Sequence, residues 1–205
     1  MTGEKHTPTR QAARRMRRFV MLVYRMPANP TAGRVAVWRN LKKIGAVYVQ
    51  DSVCVIPDTA ALRRELAPIL ERIDTGGGRY HLLALRTLPV DEEQKIIDLF
   101  VEQTAGHYRE IIENCEVDFA KEIEFEHFRQ NFTYEEAEEI RMDFEKICTW
   151  FDRVRERDWF GAPNRDEALS WLARCEELLE GFEAKVFEVN ATDSLDGAEK
   201  PASRG

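Results

Sequence analysis

Arg18-Phe-Val-Met-Leu-Val-Tyr24 is the stretch on which the fold turns. It is short and apolar, it carries β-branched and aromatic side chains, and it shows no helical period, so it reads as a buried strand. A winged-helix domain would place a helix here, ahead of the next helix, and a strand argues against it. Pro27-Ala-Asn-Pro-Thr31 then breaks the run and opens a helix, since proline is tolerated in a first helical turn. The helix is expected from about Thr31 to Ile44, with Val37, Leu41 and Ile44 as its apolar stripe. Val35 and Trp38 flank that stripe, and Trp38 reads as an ordinary core anchor. Gly45 is placed to end the helix.

Val47-Tyr-Val-Gln-Asp-Ser-Val-Cys-Val-Ile56 is again β-branched and turns at Gln50-Asp-Ser52, either as a long bent strand or as a hairpin. Pro57-Asp-Thr59 starts a second helix to about Ile73. Thr75-Gly-Gly-Gly78 is a turn, and Arg79-Tyr-His-Leu-Leu-Ala-Leu85 is a last strand. Strand, helix, one or two strands, helix and strand make an α+β domain with the order of a ferredoxin-like βαββαβ head, over residues 16–89.

Beyond Pro89 the pattern changes. Asp91 to Lys146 holds eighteen acids against six bases and no strand signal. Apolar positions recur at alternating steps of four and three through Tyr108, Ile111 and Cys115, through Ile140, Phe144, Ile147 and Phe151, and through Leu172, Cys175, Leu179 and Phe182. That spacing suits helices packed nearly parallel or antiparallel, hence an all-helical acidic bundle over residues 90–190. Phe160-Gly-Ala-Pro-Asn164 separates the last two helices, which should form a hairpin. Asp118 to Phe132 reads as a short helix plus a loop. Residues 1–15 are expected to be a flexible basic tail and residues 191–205 a disordered one.

At 205 residues, 43% hydrophobic and 33% charged, the chain has enough apolar side chains for a core and enough charge for solubility. No apolar run approaches the ~20 residues that span a bilayer. Met1–Arg18 is a poor signal peptide, so a cytoplasmic location is expected, without membrane association. Cys54, Cys115, Cys148 and Cys175 form no CxxC pair, which speaks against a zinc ribbon and a disulfide framework.

The net charge of −7 hides an asymmetry. Residues 1–43 hold eleven Lys and Arg against one acid, net +10, leaving −17 on the rest. Such a split marks a polyanion-binding end on an acidic body, or a basic tail lying on its own acidic helices. Arg39, Lys42 and Lys43 fall within one or two turns of each other on the first helix. Arg34 lies in its first turn, where a cation opposes the helix dipole and calls for an anion. A phosphate backbone suits this stripe, with Arg14, Arg15, Arg17 and Arg18 as a second, flexible contact.

Other motifs read as structural. Glu124 and His127 have the spacing of one ExxH metal motif, but a di-metal bundle needs two and further carboxylates, so no metal is expected. Gly76-Gly-Gly78 lacks the phosphate-loop frame. No Ser/His/Asp set and no cysteine has a nucleophile signature, so neither an enzyme nor a cofactor is expected.

The segments Leu22-Val-Tyr-Arg-Met-Pro27, Arg34-Val-Ala-Val-Trp-Arg-Asn-Leu-Lys-Lys-Ile-Gly-Ala46, Val55-Ile-Pro-Asp58 and Arg157-Asp-Trp-Phe-Gly-Ala-Pro163 resemble, in order, the N-terminal domain of ChrB-type chromate-resistance proteins. The resemblance runs over about residues 19–188. It implies a role in chromate resistance, as a DNA-binding, chromate-responsive transcriptional regulator. The basic N-terminal region is the part it assigns to DNA, here Arg34, Arg39, Lys42 and Lys43 with Arg25 beside them. Fully developed members carry a further C-terminal domain that this sequence does not contain. A weaker similarity, over residues 19–88, runs to the small domain of the phenylacetate-pathway repressor PaaX and the CRISPR adaptation nucleases. Those nucleases place an Asp at the end of the first strand, where this chain has Tyr24-Arg25-Met26.

Duplex DNA is therefore the expected partner, bound by a homodimer whose two basic faces suit palindromic sites. The alternatives are an accessory protein that holds chromate or another oxyanion on Arg34 and Arg39, and a partner-binding module built on the helices.

Overall fold

The structure, a computed structural model, describes residues 18–29 and 31–196, residues 192–196 by backbone alone. The tails expected at 1–15 and beyond 196 lie outside the described residues. The architecture is mixed α+β, as expected from the sequence. The chain divides into two compact units, one of Met1–Gln103 with Arg157–Phe160 and one of Thr104–Glu156 with Gly161–Gly205. The division falls within a helix rather than at Pro89.

The first unit holds β1 (Phe19–Arg25), α1 (Thr31–Lys43), β2 (Val47–Gln50), β3 (Val53–Pro57), α2 (Ala60–Thr75) and β4 (Arg79–Leu85). The sheet order is β2-β3-β1-β4, with each pairing antiparallel. β1 is central: Phe19 faces Pro57 on one side and Leu85 on the other. The stretch Val47 to Ile56 is a hairpin that turns at Asp51-Ser52, where Ser52 takes a left-handed φ of 62°.

Val20, Leu22, Cys54 and Ile56 face Val37 and Leu41 of α1 and Leu66 and Ile69 of α2 in one buried cluster. Phe19, Val47 and Val55 point to the opposite face, under Ile96 and Phe100 of α3 (Val90–Glu113). β1 is thus covered on both faces where it starts, and this explains an unbroken apolar run instead of alternation.

The helix ends are set by glycine. Gly45 has φ 81°, its N–H donates to the Lys42 carbonyl at 3.0 Å, and the Ala46 N–H donates to the Leu41 carbonyl at 3.0 Å. These two bonds are a Schellman cap. The same pair recurs after α2, where Gly77 N–H reaches the Asp74 carbonyl and Gly78 N–H the Ile73 carbonyl. At the start of α2 the Thr59 hydroxyl accepts from the Leu62 N–H at 3.2 Å, the bond of a side-chain N-cap.

Arg157–Phe160, distant in sequence, completes this unit. Arg157 Nη1 donates to the Lys43 carbonyl at 3.0 Å. A cation there satisfies an orphan carbonyl at the negative end of α1. Trp159 packs so closely on Gly45 that a Cβ there would come within 2.8 Å of the indole. The Phe160 ring lies 5.3 Å from that of Phe100.

The second unit takes up α3 at Thr104, followed by a π-helical segment (Asn114–Phe119), α4 (Ala120–Arg129), α5 (Tyr134–Glu156) and α6 (Arg165–Asp196). Tyr108, Ile111 and Cys115, Ile140, Ile147 and Phe151, and Leu172, Cys175 and Phe182 share one buried cluster. Asp118 to Phe132 holds a short helix, α4, and a loop from Gln130, as expected. The helix continues through the π segment, where Ala120 N–H donates to the Cys115 carbonyl, and ends at Gln130, which takes φ 56°. Cys115 and Phe119 of the π segment and Ile123 of α4, spaced by four, lie in the same buried cluster. The π segment is a wider turn that takes up one residue more than an α turn would.

α6 also corrects the expected end of order at 190, for it runs on to Asp196. Asn190 Nδ2 donates to the Phe132 carbonyl at 2.9 Å and so anchors the last turns, and a helix propagates readily once anchored. Glu126 is buried beside the α4 terminus, where Asn131 Nδ2 donates to it at 2.6 Å and to Glu136 at 2.9 Å. The His127 ring meets the Phe132 and Phe182 rings edge-on. No helix among the described residues is long and apolar enough to cross a membrane.

Candidate functional site

Along α1, residues four apart share a side, so Arg34, Trp38 and Lys42 form one stripe and Arg39 and Lys43 its neighbour. The first stripe lines a cavity of about 580 Å³ in the first unit, together with Val35. Tyr24, Arg25 and Met26 supply its β1 wall, and Tyr48, Asp51 and Ser52 its hairpin wall. Arg25 reaches the cavity because β1 ends there, and Asp51 and Ser52 do so because the hairpin turns beside it.

The walls are polar and tied together. Tyr24 and Tyr48 share a hydroxyl–hydroxyl hydrogen bond of 2.9 Å. Lys42 Nζ donates to Gln103 Oε1 at 2.6 Å and lies 5.5 Å from the centre of the Tyr48 ring. Burial moves Lys42 below the usual lysine range and both tyrosines above theirs. Burial also pushes the Cys54 thiol, behind the wall, up to about 12. At neutral pH the tyrosines are therefore neutral hydrogen-bonding groups, and Cys54 is a thiol without nucleophilic character.

The structure thus brings Arg25, Arg34 and Lys42 around one cavity. Arg39 and Lys43 are exposed and do not line it. Arg18 is exposed just before β1, while Arg14, Arg15 and Arg17 lie outside the described residues. Trp38 is not a core anchor: it is 47% exposed and forms part of the cavity wall. The apolar stripe is complete without it, since Val37 and Leu41 fill the face of α1 that meets the sheet. The spacing of Arg34, Trp38 and Lys42 was the available signal for the cavity. Nothing local in the sequence marked Tyr24, Tyr48 or Asp51.

Among the described residues no group of three or more His, Cys, Asp or Glu side chains is arranged to hold a metal ion. What the cavity offers is positive charge, an aromatic face and hydroxyl donors. It can hold an anion.

No curated protein matches the chain significantly. A family model does, the one described as protein ChrB, N-terminal, over residues 34–193. The matched span begins at Arg34 of the cavity stripe, takes in Arg157–Phe160 at the end of α1, and closes near the end of α6. It covers well over half of the 205 residues, and the chain belongs to the ChrB N-terminal family.

Proposed function

We propose that this protein is a DNA-binding transcriptional regulator of chromate resistance, with no catalytic role, acting in the cytoplasm. Family membership ties it to chromate resistance. The observation that carries the DNA reading is on α1. Arg34, Arg39 and Lys43 are exposed along it, Arg25 is exposed at the end of β1, and none of the four is in an ion pair among the described residues. In a chain of net −7, four cations left without carboxylates in one region suit an external polyanion.

The first unit is read as a ferredoxin-like head. Its βαββαβ element order, its strand order β2-β3-β1-β4, and the packing of α1 and α2 on one face support this. The second unit is read as a helical bundle that supports the head or pairs two chains, and a pair would present two basic faces to a palindromic site.

The test is fluorescence anisotropy of a labelled duplex from the upstream region of the gene, at two salt concentrations and against excess unrelated duplex. Each neutralised phosphate contributes about −0.9 to the log–log salt slope, so four contacts give a slope near −4. Binding is expected to resist the competitor. Arg39→Ala combined with Lys43→Ala is expected to flatten the slope by about two, with no loss of thermal midpoint. Binding that the competitor abolishes, or an unchanged slope in the double variant, would overturn the proposal.

A further inference from the structure

We infer that the cavity between β1, α1 and the β2–β3 hairpin binds a nucleoside monophosphate unit, its base on Trp38 and its phosphate on Arg25, Arg34 and Lys42. The inference shares Arg25 and Arg34 with the proposed duplex surface, whose other contacts, Arg39 and Lys43, lie outside the cavity, and it is tested without duplex.

Size is the first argument. About 580 Å³ lies in the range of small-molecule sites. A single tetrahedral oxyanion would fill a small part of it and would leave Trp38, Val35 and Met26 unused. An apolar ligand would trap three cations against hydrocarbon, which is strongly unfavourable.

Charge narrows the class further. Arg25, Arg34 and Lys42 against Asp51 leave two positive charges on the lining. A phosphate monoester carries close to two negative charges at neutral pH, whereas a monocarboxylate would match one. The guanidinium fork suits phosphate oxygens. Lys42 is held by the neutral Gln103 amide and the Tyr48 ring, so its charge is not spent on a carboxylate.

The remaining groups fit the rest of a nucleotide. Trp38 is a large aromatic left 47% exposed on the wall, and a base is planar and stacks on indole. Tyr24 and Tyr48 use one hydroxyl proton between them and have one left to donate. Asp51 and Ser52, at the hairpin turn, can meet ribose hydroxyls or a base amino group.

The same unit can come as a free nucleotide or as the 5′-phosphorylated end of a single strand. Calorimetric titration of the full chain with adenosine 5′-monophosphate, adenosine, inorganic phosphate and a short 5′-phosphorylated single-stranded oligonucleotide separates these. Adenosine and phosphate are each expected to bind at least about tenfold more weakly than the monophosphate. Arg34→Ala and Trp38→Leu are each expected to weaken binding about tenfold, with Arg64→Ala, an exposed cation of α2 that does not line the cavity, within about twofold of the parent. Binding of the free monophosphate identifies a soluble ligand. Binding of the oligonucleotide alone, with the same dependence on Arg34 and Trp38, identifies a strand. Binding of neither, phosphate as tight as the monophosphate, or Arg64→Ala as harmful as Arg34→Ala would overturn the inference. Because two side chains on the solvent side of α1 are probed separately, a folding defect in one variant leaves the other decisive.

Discussion

Lys42 Nζ and Gln103 Oε1 lie 2.6 Å apart, so the half-buried cation of the cavity is oriented by an amide and keeps its charge. Gln103→Glu would put a carboxylate of almost the same shape in its place. The new ion pair would cancel one positive charge facing the cavity. Anion affinity, measured by the same titration, is expected to fall several-fold, while urea unfolding changes by no more than about 1 kcal/mol, the usual scale of a partly exposed pair.

Gly45 combines φ 81° with an indole at 2.8 Å from where its Cβ would stand. Gly77 has φ 73° but ordinary space around it, with the nearest atom at 3.7 Å. Gly45→Ala should therefore lose more than Gly77→Ala. The conformational cost alone is about 1 kcal/mol for each, and displacing Trp159 adds to it only at position 45. Urea midpoints of the two variants, side by side, check the ordering.

Asn131→Ala removes the amide that donates to buried Glu126 at 2.6 Å and to Glu136 at 2.9 Å. Glu126 is 5% exposed, so an orphaned carboxylate oxygen there has little access to water. A loss of about 1–3 kcal/mol is expected in chemical denaturation. Asn131→Asp should cost more, since it sets a third negative charge against the pair.

Two carboxyls should respond to pH in opposite senses. Glu122 is held above the ordinary glutamate range, first by burial and then by Asp143, Glu136, Glu139 and Glu126. A carboxyl raised on folding adds stability below its unfolded value, near ~4.3, and that contribution is lost as pH rises through the folded value. Glu122→Gln is thus expected to raise the thermal midpoint at pH 7, by roughly the ~0.2–0.5 kcal/mol of one like-charge helical pair, and to give no gain below about pH 4. Asp58 is held low, first by the hydrogen bond from Arg63. Its contribution is present above the unfolded value near ~3.9 and is lost as pH falls through the folded one. Asp58→Asn should therefore cost stability at pH 7 and progressively less as pH falls below the unfolded value. Melting curves of both variants across pH check the two signs.

Much of the fold was legible because burial writes itself into local pattern. The run Phe19 to Tyr24 is uniformly apolar because β1 is central and covered where it starts. Val37 and Leu41 announce the inner face of α1, and Thr59 and Gly45 announce helix ends. The π segment was not legible, because one extra backbone position per turn leaves no residue signature in Asn114–Phe119. Neither was the place of Arg157–Phe160 in the first unit, a long-range contact that no local period encodes. Trp38 misled for a related reason. Its size suggests burial, but Leu41 and Val37 already fill the inner face, and the basic stripe visible in sequence split into two when wrapped on the helix.

The π segment has a consequence for what the second unit tolerates. Asn114–Phe119 is one wide turn that takes up a residue more than an α turn would. Deleting an exposed residue of it, such as Glu116, would let the helix rewind as α with Ile123 and Glu126 near their present side. The same deletion within α4 would turn all that follows by about 100° and carry Glu126 away from Asn131. This short stretch is slack in the count of the chain, where a residue can be lost and the helix still keep step.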